Sequence, residues 1–422
     1  MSAFKHPSRL ALEPVPENIT NERLSCTDDH LPDSVFKILD PDSGRMYGFA
    51  VVDDTRRGPG LGGIRLARDL TLEEVKRLAR VMTLKNSGAN LPYGGGKSGL
   101  IGDPSFLNQN PGLKSDLISM FAEAIFELDS YIPAPDMGTD ERDLQIIHEV
   151  YSRHGAGSQD FRGVTGRPIE NGGIPVDDWG LTAHGLLAAS ETLEKIDDQF
   201  KIKNSSVVVQ GYGNVGSCTA IKLQQAGATI VGASDIHAGL WNPQGLNTDE
   251  LNRVRHSSQG LQNYTGKIQK KFVGKKLDWL MEAPCEFLVP AARPDSITSR
   301  NADRIQCKVI LQGANTPSNK MTEYYLKNRR GILSLNDFIV NVGGVVGCAV
   351  EIKMAADPEY RDKVRETGTR TYLEDLIYST VSRNVEEIFQ RLKGSPQDTL
   401  FREQALELVE ERLNSHQKEC WL

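Results

Sequence analysis

The segment Ser206-Val207-Val208-Val209-Gln210-Gly211-Tyr212-Gly213-Asn214-Val215-Gly216 constrains the fold of this chain more than any other. Three consecutive valines in a short run read as a strand buried on both faces. A G-x-G-x-x-G turn follows at once, and Val215–Ala226 then carries a helical pattern. The next apolar run, Thr229–Ser234, ends on Asp235. Strand, glycine turn, helix and strand in that order form a βαβ unit, and the N-terminus of its helix favours an anion. Gly211 permits the tight turn, Gly213 lets backbone approach a pyrophosphate, and Gly216 lets helix and sheet pack closely. A glycine turn that binds nothing is the competing reading, and the βαβ frame weighs against it.

On this reading Gly211, Gly213, Asn214, Val215 and Gly216 cradle a dinucleotide, and Asp235 accepts hydrogen bonds from the adenosine ribose. A carboxylate there repels a 2′-phosphate, so NAD is expected over NADP. Ile236, also placed at the cofactor, brings no cation, and His237 brings one only when protonated.

Short apolar runs at Glu286–Val289, Lys308–Leu311 and Ile332–Leu335 alternate with polar or helical segments, which extends the parallel sheet. The tail is helical by pattern, with amphipathic pieces at Leu373–Leu392 and Phe401–Leu413. Before the βαβ unit, Val35–Leu39 and Met46–Val52 read as strands around Asp40–Gly44. Thr71 to Glu74 opens a helix as a capping box, and a second helix is expected around Ser115–Leu128. The Gly-rich stretch Gly155–Pro175 reads as a hinge or linker. The expected class is α/β: an N-terminal α/β substrate-binding and oligomerisation domain at 1–165, a Rossmann domain at 166–349, and C-terminal helices at 350–422 returning to the first domain.

Composition narrows the partners. With 422 residues and a net charge of −7, the chain has no basic excess to suit nucleic acid. It lacks an apolar run long enough for a signal peptide or a membrane span, so no membrane partner and a cytoplasmic location are expected. The six cysteines, Cys26, Cys218, Cys285, Cys307, Cys348 and Cys420, show no C-x-x-C spacing, so no metal and no disulfide framework are expected. The Asn18-Ile19-Thr20 sequon reads as chance in a chain without a secretion signal.

Leu91-Pro92-Tyr93-Gly94-Gly95-Gly96-Lys97-Ser98 ends like a phosphate-gripping P-loop. The P-loop needs a glycine where Leu91 stands and a strand where Leu72–Asn86 is helical by pattern, so that reading fails on two counts. Lys85 lies on the apolar face of that helix, where a lysine is costly unless it meets an anion. Lys85 on a helix and Lys97 in a glycine loop suggest a cluster for a carboxylate, against the plainer reading of a snorkelling side chain. Asp136, between Pro135 and Gly138, reads as a turn residue or as a carboxylate held for proton transfer.

Taken together, these pieces resemble the glutamate/leucine/phenylalanine/valine dehydrogenase family. The resemblance runs from about Asp40 to Glu351 and is carried by Gly58–Arg65, Met82–Asn86, Gly94–Lys97, Pro133–Thr139, Gln210–Gly216, Asn242–Leu246, Val289–Ala292, Gly313–Asn315 and Asn341–Val345. It implies two domains with a cleft between them, a homo-oligomer, and NAD(P)-dependent oxidative deamination of an L-amino acid to a 2-oxo acid and ammonia. It further implies that Lys85 binds the substrate α-carboxylate. Lys97 would activate water or stabilise the carbinolamine, and Asp136 would exchange protons with the amino nitrogen. Thr182 would meet the nicotinamide carboxamide and Asn315 its ribose, with Ala291 and Asn341 completing the cofactor set. Leu61, Gly62, Gly63, Val345 and Cys348 would line the substrate.

Glutamate-specific members resemble this chain less at two places. They carry a lysine where Leu61 stands and a serine where Cys348 stands. A substrate carboxylate buried there without a cation would be costly, whereas an apolar side chain would gain about 0.8 kcal/mol per buried CH₂. The expected substrate is therefore an apolar or branched-chain amino acid, nearer the leucine-type branch. Gly138–Arg142 and Gly166–Pro168 look more like glutamate dehydrogenases, and Arg65 could supply the missing cation. Glutamate dehydrogenase is thus the alternative, and a catalytically inactive, cofactor-binding regulatory protein is another.

Overall fold

The computed structural model describes residues 6–15, 30–155 and 163–415. Cys26, Cys420, the Asn18–Thr20 sequon and most of the first 30 residues lie outside them. The chain forms two compact units: Met1–Pro175 with Val345–Thr369 and Glu411–Leu422, and Val176–Gly344 with Arg370–Glu410. The C-terminal helical segment is therefore shared between the units, and 370–410 belongs to the second.

In the first unit, strands β1 (Ala11–Pro14), β2 (Ser34–Asp40), β3 (Arg45–Asp54) and β4 (Gly60–Ala67) precede helix α1 (Leu72–Gly88). Strand β5 (Gly94–Ile101), helix α2 (Pro111–Ile125), strand β6 (Tyr131–Pro135) and helix α3 (Glu141–Arg153) follow. The sheet order is β1-β2-β3-β5-β4-β6, with β5, β4 and β6 mutually parallel and β1, β2 and β3 paired antiparallel. Ile64, Leu66 and Leu100 pack with Ile118 and Phe121 of α2 and with Leu144 and Ile147 of α3. Phe49, Val51 and Ala67 pack with Val75 and Ala79 of α1. The sheet is thus covered on both faces, which accounts for the uninterrupted burial of β4.

Two local readings of the sequence are corrected here. The glycines at 94–96 are not a loop but the start of β5, in the interior of the sheet. Glycine is poor in strands by propensity, yet here only glycine fits. An added Cβ would lie 1.7 Å from the Asp54 carbonyl oxygen at Gly94, 2.1 Å from Thr83 Oγ1 at Gly95 and 2.6 Å from Tyr131 Cδ2 at Gly96. At the start of α1, Thr71 does accept the Glu74 N–H at 3.2 Å. The Glu74 carboxylate, however, meets Arg65 Nη1 at 2.5 Å instead of closing a capping box.

The second unit begins with helix α4 (Leu181–Ile196). Strand β7 (Ser206–Gln210), helix α5 (Asn214–Gln225) and strand β8 (Thr229–Ser234) form the expected βαβ unit. Strands β9 (Gly239–Trp241), β10 (Lys270–Phe272), β11 (Phe287–Pro290) and β12 (Val309–Leu311), helix α6 (Lys320–Arg330) and strand β13 (Leu333–Leu335) complete its sheet. The order is β10-β9-β8-β7-β11-β12-β13. Strands β8, β7, β11, β12 and β13 are parallel, while β9 and β10 add an antiparallel edge. Because β7 lies between β8 and β11, the glycine turn after it sits at the switch point of a doubly wound sheet. Helix α7 (Gly343–Ala356) is followed by α8 (Thr369–Lys393) and α9 (Phe401–Asn414). No described helix is long and apolar enough to cross a membrane.

Candidate active site

Lys97 enters from the middle of β5 and is 3% exposed. Its Nζ lies 2.9 Å from Asp136 Oδ2, and Arg65 Nε from β4 reaches the same oxygen at 2.9 Å. Two cations thus converge on one carboxylate oxygen. Gly63 makes the room: an added Cβ there would fall 2.7 Å from Asp136 Cβ and 3.2 Å from Lys97 Nζ. Burial would raise the Asp136 carboxyl, but Lys97 and Arg65 more than offset it and hold it well below the usual carboxylate range. Burial pulls the Lys97 ammonium down from the ordinary lysine value; Asp136 opposes this and Arg65 reinforces it.

The turn after β6 holds Asp136 in place. Its backbone N–H donates to Thr139 Oγ1 at 3.0 Å, and that hydroxyl donates to the Ile64 carbonyl at 2.8 Å. Gly138 closes the turn with a φ of 87°. Beneath β5, the Tyr131 hydroxyl donates to the Gly62 carbonyl at 2.8 Å and lies 2.8 Å from Ser98 Oγ. This fixes the otherwise side-chain-free Gly62-Gly63 stretch. Burial raises the phenol well above its ordinary value, so it remains a donor.

Lys85, 5% exposed, lies in the last turn of α1. Its neighbour Asn86 donates to the Gly94 carbonyl at 2.6 Å and to the Leu61 carbonyl at 3.3 Å, which pins the end of α1 to the starts of β5 and β4. Leu61 is fully buried. In the same unit Val345 is buried and Cys348 partly so, and the Cys348 carbonyl accepts from Thr165 Oγ1 at 3.3 Å. The described part of the expected linker is fixed by Glu351. Its buried carboxylate accepts from the backbone N–H groups of Gly166 (3.0 Å), Arg167 (3.3 Å) and Ile174 (3.0 Å).

Sequence reasoning passed over Arg65, Glu74, Tyr131 and Thr139 as parts of this cluster. The one usable signal was Arg65, two residues beyond Gly63 in a strand, where alternation sends both to the same face. Arg65 is committed to Asp136 and Glu74. It is not the loose cation that the sequence left open for a substrate carboxylate.

In the second unit the glycine turn has the form its motif predicts. Gly211 has a φ of 92°, and an added Cβ would lie 2.7 Å from Ala292 Cα, beside Ala291. At Gly216 it would lie 1.9 Å from the Gly211 carbonyl oxygen. At Gly213 it would meet nothing within 4 Å, so this side of the turn is open to a ligand at the start of α5. Asn214 Nδ2 donates to Asp177 at 3.0 Å and its Oδ1 accepts from Arg255 at 3.3 Å, while Val215 is partly buried in the first turn of the helix. The Asp235 carboxylate accepts three backbone N–H groups, from His237 and Ala238 at 2.8 Å and Leu261 at 2.7 Å. It braces its own loop, a role the sequence did not foresee. Ile236 beside it is 85% exposed. Thr182 opens α4 next to Gly343 and Gly344. Asn341 donates to the Gly313 carbonyl at 2.6 Å, which fixes the start of the segment carrying Asn315.

Comparison with known proteins agrees with both halves. Residues 172–406 match Glutamate/Leucine/Phenylalanine/Valine dehydrogenase, and residues 32–153 match the dimerisation domain of the same enzymes. A glutamate dehydrogenase of Aeropyrum pernix is 35% identical over 336 residues, 76% of each chain. An NADP-specific glutamate dehydrogenase of Saccharolobus shibatae is 36% identical over 312 residues, 72% of this chain and 70% of that one. Among solved structures, the hetero-hexameric glutamate dehydrogenase of Thermus thermophilus in its Leu bound form superposes with a TM-score of 0.73 at 27% identity, covering 96% of this chain and 88% of that one. The chain belongs to the glutamate/leucine/phenylalanine/valine dehydrogenase family and is a nicotinamide-dependent amino-acid dehydrogenase.

Proposed function

We propose that this chain oxidatively deaminates L-glutamate to the corresponding 2-oxo acid and ammonia, reversibly, as an oligomer. The convergence of Lys97 and Arg65 on Asp136 Oδ2 carries the reaction type. The substrate is supported by relatives that are named glutamate dehydrogenases over some 70% or more of their length. The leucine-type branch expected from residues 61 and 348 has no support among these relatives.

The open face of Gly213 and the exposed Ile236 suit a dinucleotide. When bound, its nicotinamide would supply the hydride acceptor for the substrate Cα. The rest belongs to the side chains. Lys85 pairs with the α-carboxylate and orients Cα. Asp136, a carboxylate at rest, exchanges protons with the amino nitrogen. Lys97, its proton loosened by burial and by Arg65, takes a proton from the water that adds to the imine carbon and returns one as ammonia leaves. Thr182 and Asn315 hold the nicotinamide end, Ala291 and Asn341 support it, and the turn at Gly211–Gly216 holds the pyrophosphate. Asp235 faces the adenosine ribose, which favours NAD, although one relative is NADP-specific.

A second reading, deamination of an apolar L-amino acid, rests on Leu61: a fully buried leucine stands where a side-chain carboxylate would need a cation, and Arg65 is already paired. The test is reduction of NAD and NADP by the purified protein with a panel of L-amino acids. Turnover on glutamate in preference to leucine, valine and phenylalanine supports the first reading, and the reverse order overturns it in favour of the second. No turnover on any of these substrates overturns both.

A further inference from the structure

A buried polar cluster in the second unit is not used by the chemistry above. Glu323 of α6 is 3% exposed and Arg402 of α9 is 9% exposed. Arg402 Nε and Nη2 donate to the two oxygens of Glu323, each at 2.8 Å. Glu323 Oε1 also accepts from Ser318 Oγ at 2.6 Å and from Gln312 Nε2 at 2.8 Å, while Asn336 Nδ2 lies 3.0 Å from Oε1 and 3.1 Å from Oε2. Burial would raise the Glu323 carboxyl, but Arg402 brings it below its ordinary value, so the pair stays charged. A buried ion pair is weak support for stability, since an apolar pair of similar volume is often as stable. What such a cluster does well is specify geometry.

The geometry it specifies is that of the segment from Gln312 to Ser318, which carries Asn315. Gln312 and Ser318 are themselves members of the cluster, at either end of the segment. Gln312 Oε1 accepts the Asp337 N–H at 3.1 Å, and Asp337 Oδ2 accepts the Thr316 N–H at 3.0 Å. Arg402 Nη2 also donates to the Ser318 carbonyl at 3.2 Å. Between these anchors Thr316 has a φ of 43°, a conformation that a β-branched residue adopts only when its surroundings impose it. The strained residue lies immediately after Asn315.

We propose that Arg402 and Glu323 are positioning residues for coenzyme binding: through Gln312, Ser318 and Asp337 they hold the strained 313–318 segment so that Asn315 faces the nicotinamide ribose. This rests on the reading of Asn315 given above. The connection runs from the last described helix, α9, to the coenzyme, and none of the side chains between needs to touch the ligand.

The test compares the full chain with Arg402→Lys, the charge-free pair Glu323→Gln/Arg402→Met, and Asn315→Ala. NADH affinity is read from nicotinamide fluorescence, KM is measured separately for coenzyme and amino acid, and thermal unfolding serves as the control. The double variant removes both charges, so it keeps the test alive if a lone buried charge unfolds the protein. The expected result is a folded double variant with NADH affinity and coenzyme KM worsened about tenfold, amino-acid KM little changed, and partial recovery in Arg402→Lys. If Asn315→Ala weakens NADH binding while the folded double variant does not, the positioning role is overturned and the reading of Asn315 stands. If Asn315→Ala leaves NADH binding unchanged, the reading of Asn315 falls and the proposal falls with it. Equal losses in coenzyme and amino-acid KM overturn it as well, because a general loosening would produce them.

Discussion

Replacing Arg65 by methionine should move the pH dependence of turnover in a direction the site fixes. Arg65 Nε and Lys97 Nζ each lie 2.9 Å from the same oxygen of Asp136. The two cationic nitrogens are therefore within about 6 Å of each other, and at an effective dielectric of about 20 two unit charges at that distance interact by roughly 3 kcal/mol. Asp136 is 21% exposed at its side chain, so solvent screening takes away up to about half of this. What remains corresponds to about one to two pH units.

The sign follows from which protonation state Arg65 opposes. Its positive charge disfavours the protonated form of Lys97, and among the causes acting on Lys97 it stands with burial in pulling the ammonium down. Without it both Lys97 and Asp136 hold their protons more tightly. On the proposed mechanism deamination uses the neutral amine of Lys97, so the ascending limb of kcat/KM against pH should move to higher pH by about one to two units. The limb belongs to the coupled Lys97–Asp136 pair and not to either group alone. Arg65→Lys, which restores the charge without the fork, should bring the limb most of the way back while kcat stays low. The assay is initial-rate coenzyme reduction across the pH range, with unfolding midpoints measured alongside. An unmoved limb in a folded Arg65→Met protein, or one moved to lower pH, would refute the electrostatic account of Lys97.

Four further outcomes are expected. Lys97→Ala should lower turnover by about 10² to 10⁴-fold while NADH still binds; loss of NADH binding, measured by fluorescence, would remove Lys97 from its chemical role. Gly96→Ala should destabilise the first unit by about 1–3 kcal/mol or more, because the new methyl meets the Tyr131 ring; a wild-type unfolding midpoint would contradict the packing of β5. Leu61→Lys should raise kcat/KM for glutamate relative to leucine by about tenfold or more, and an unchanged ratio would mean that residue 61 does not read the side chain. Asp235→Asn removes the charge and also sets an amide against the Leu261 N–H. A rise in NADP relative to NAD use shows that the charge discriminates, whereas equal loss for both coenzymes leaves Asp235 only its structural brace.

The βαβ unit was legible because its signals are local. A valine run, three glycines with separate duties and an acid at the end of the next strand all act within one supersecondary element, and the structure gives each glycine the surroundings its duty requires. The antiparallel edge β9–β10 left no such trace. Its strands are three residues long and carry no alternation to detect. The Gly94–Gly96 stretch was misread because glycine signals a turn whenever its neighbours in space are unknown. What makes it a strand is Asp54 on one neighbouring segment, Thr83 on a helix and Tyr131 on another strand, all non-local.

The candidate site divides along the same line. Lys97 and Asp136 could be named from residue type and motif, but the approach of Lys97 Nζ and Arg65 Nε to the same Asp136 oxygen is a contact that sequence spacing cannot express. Arg65 shows why. Read alone, it could meet a substrate carboxylate, and together with Gly138–Arg142 and Gly166–Pro168 it kept glutamate open as a ligand. Placed between Glu74 and Asp136, its charge is spent within the site and tunes the proton of Lys97. If glutamate is the substrate, the cation for its side chain therefore has to come from a group other than Arg65, and Arg65→Met should alter the pH limb without selectively abolishing recognition of glutamate over leucine. A loss of that preference, with the limb unmoved, would return Arg65 to the specificity pocket and leave the depressed lysine without its electrostatic partner.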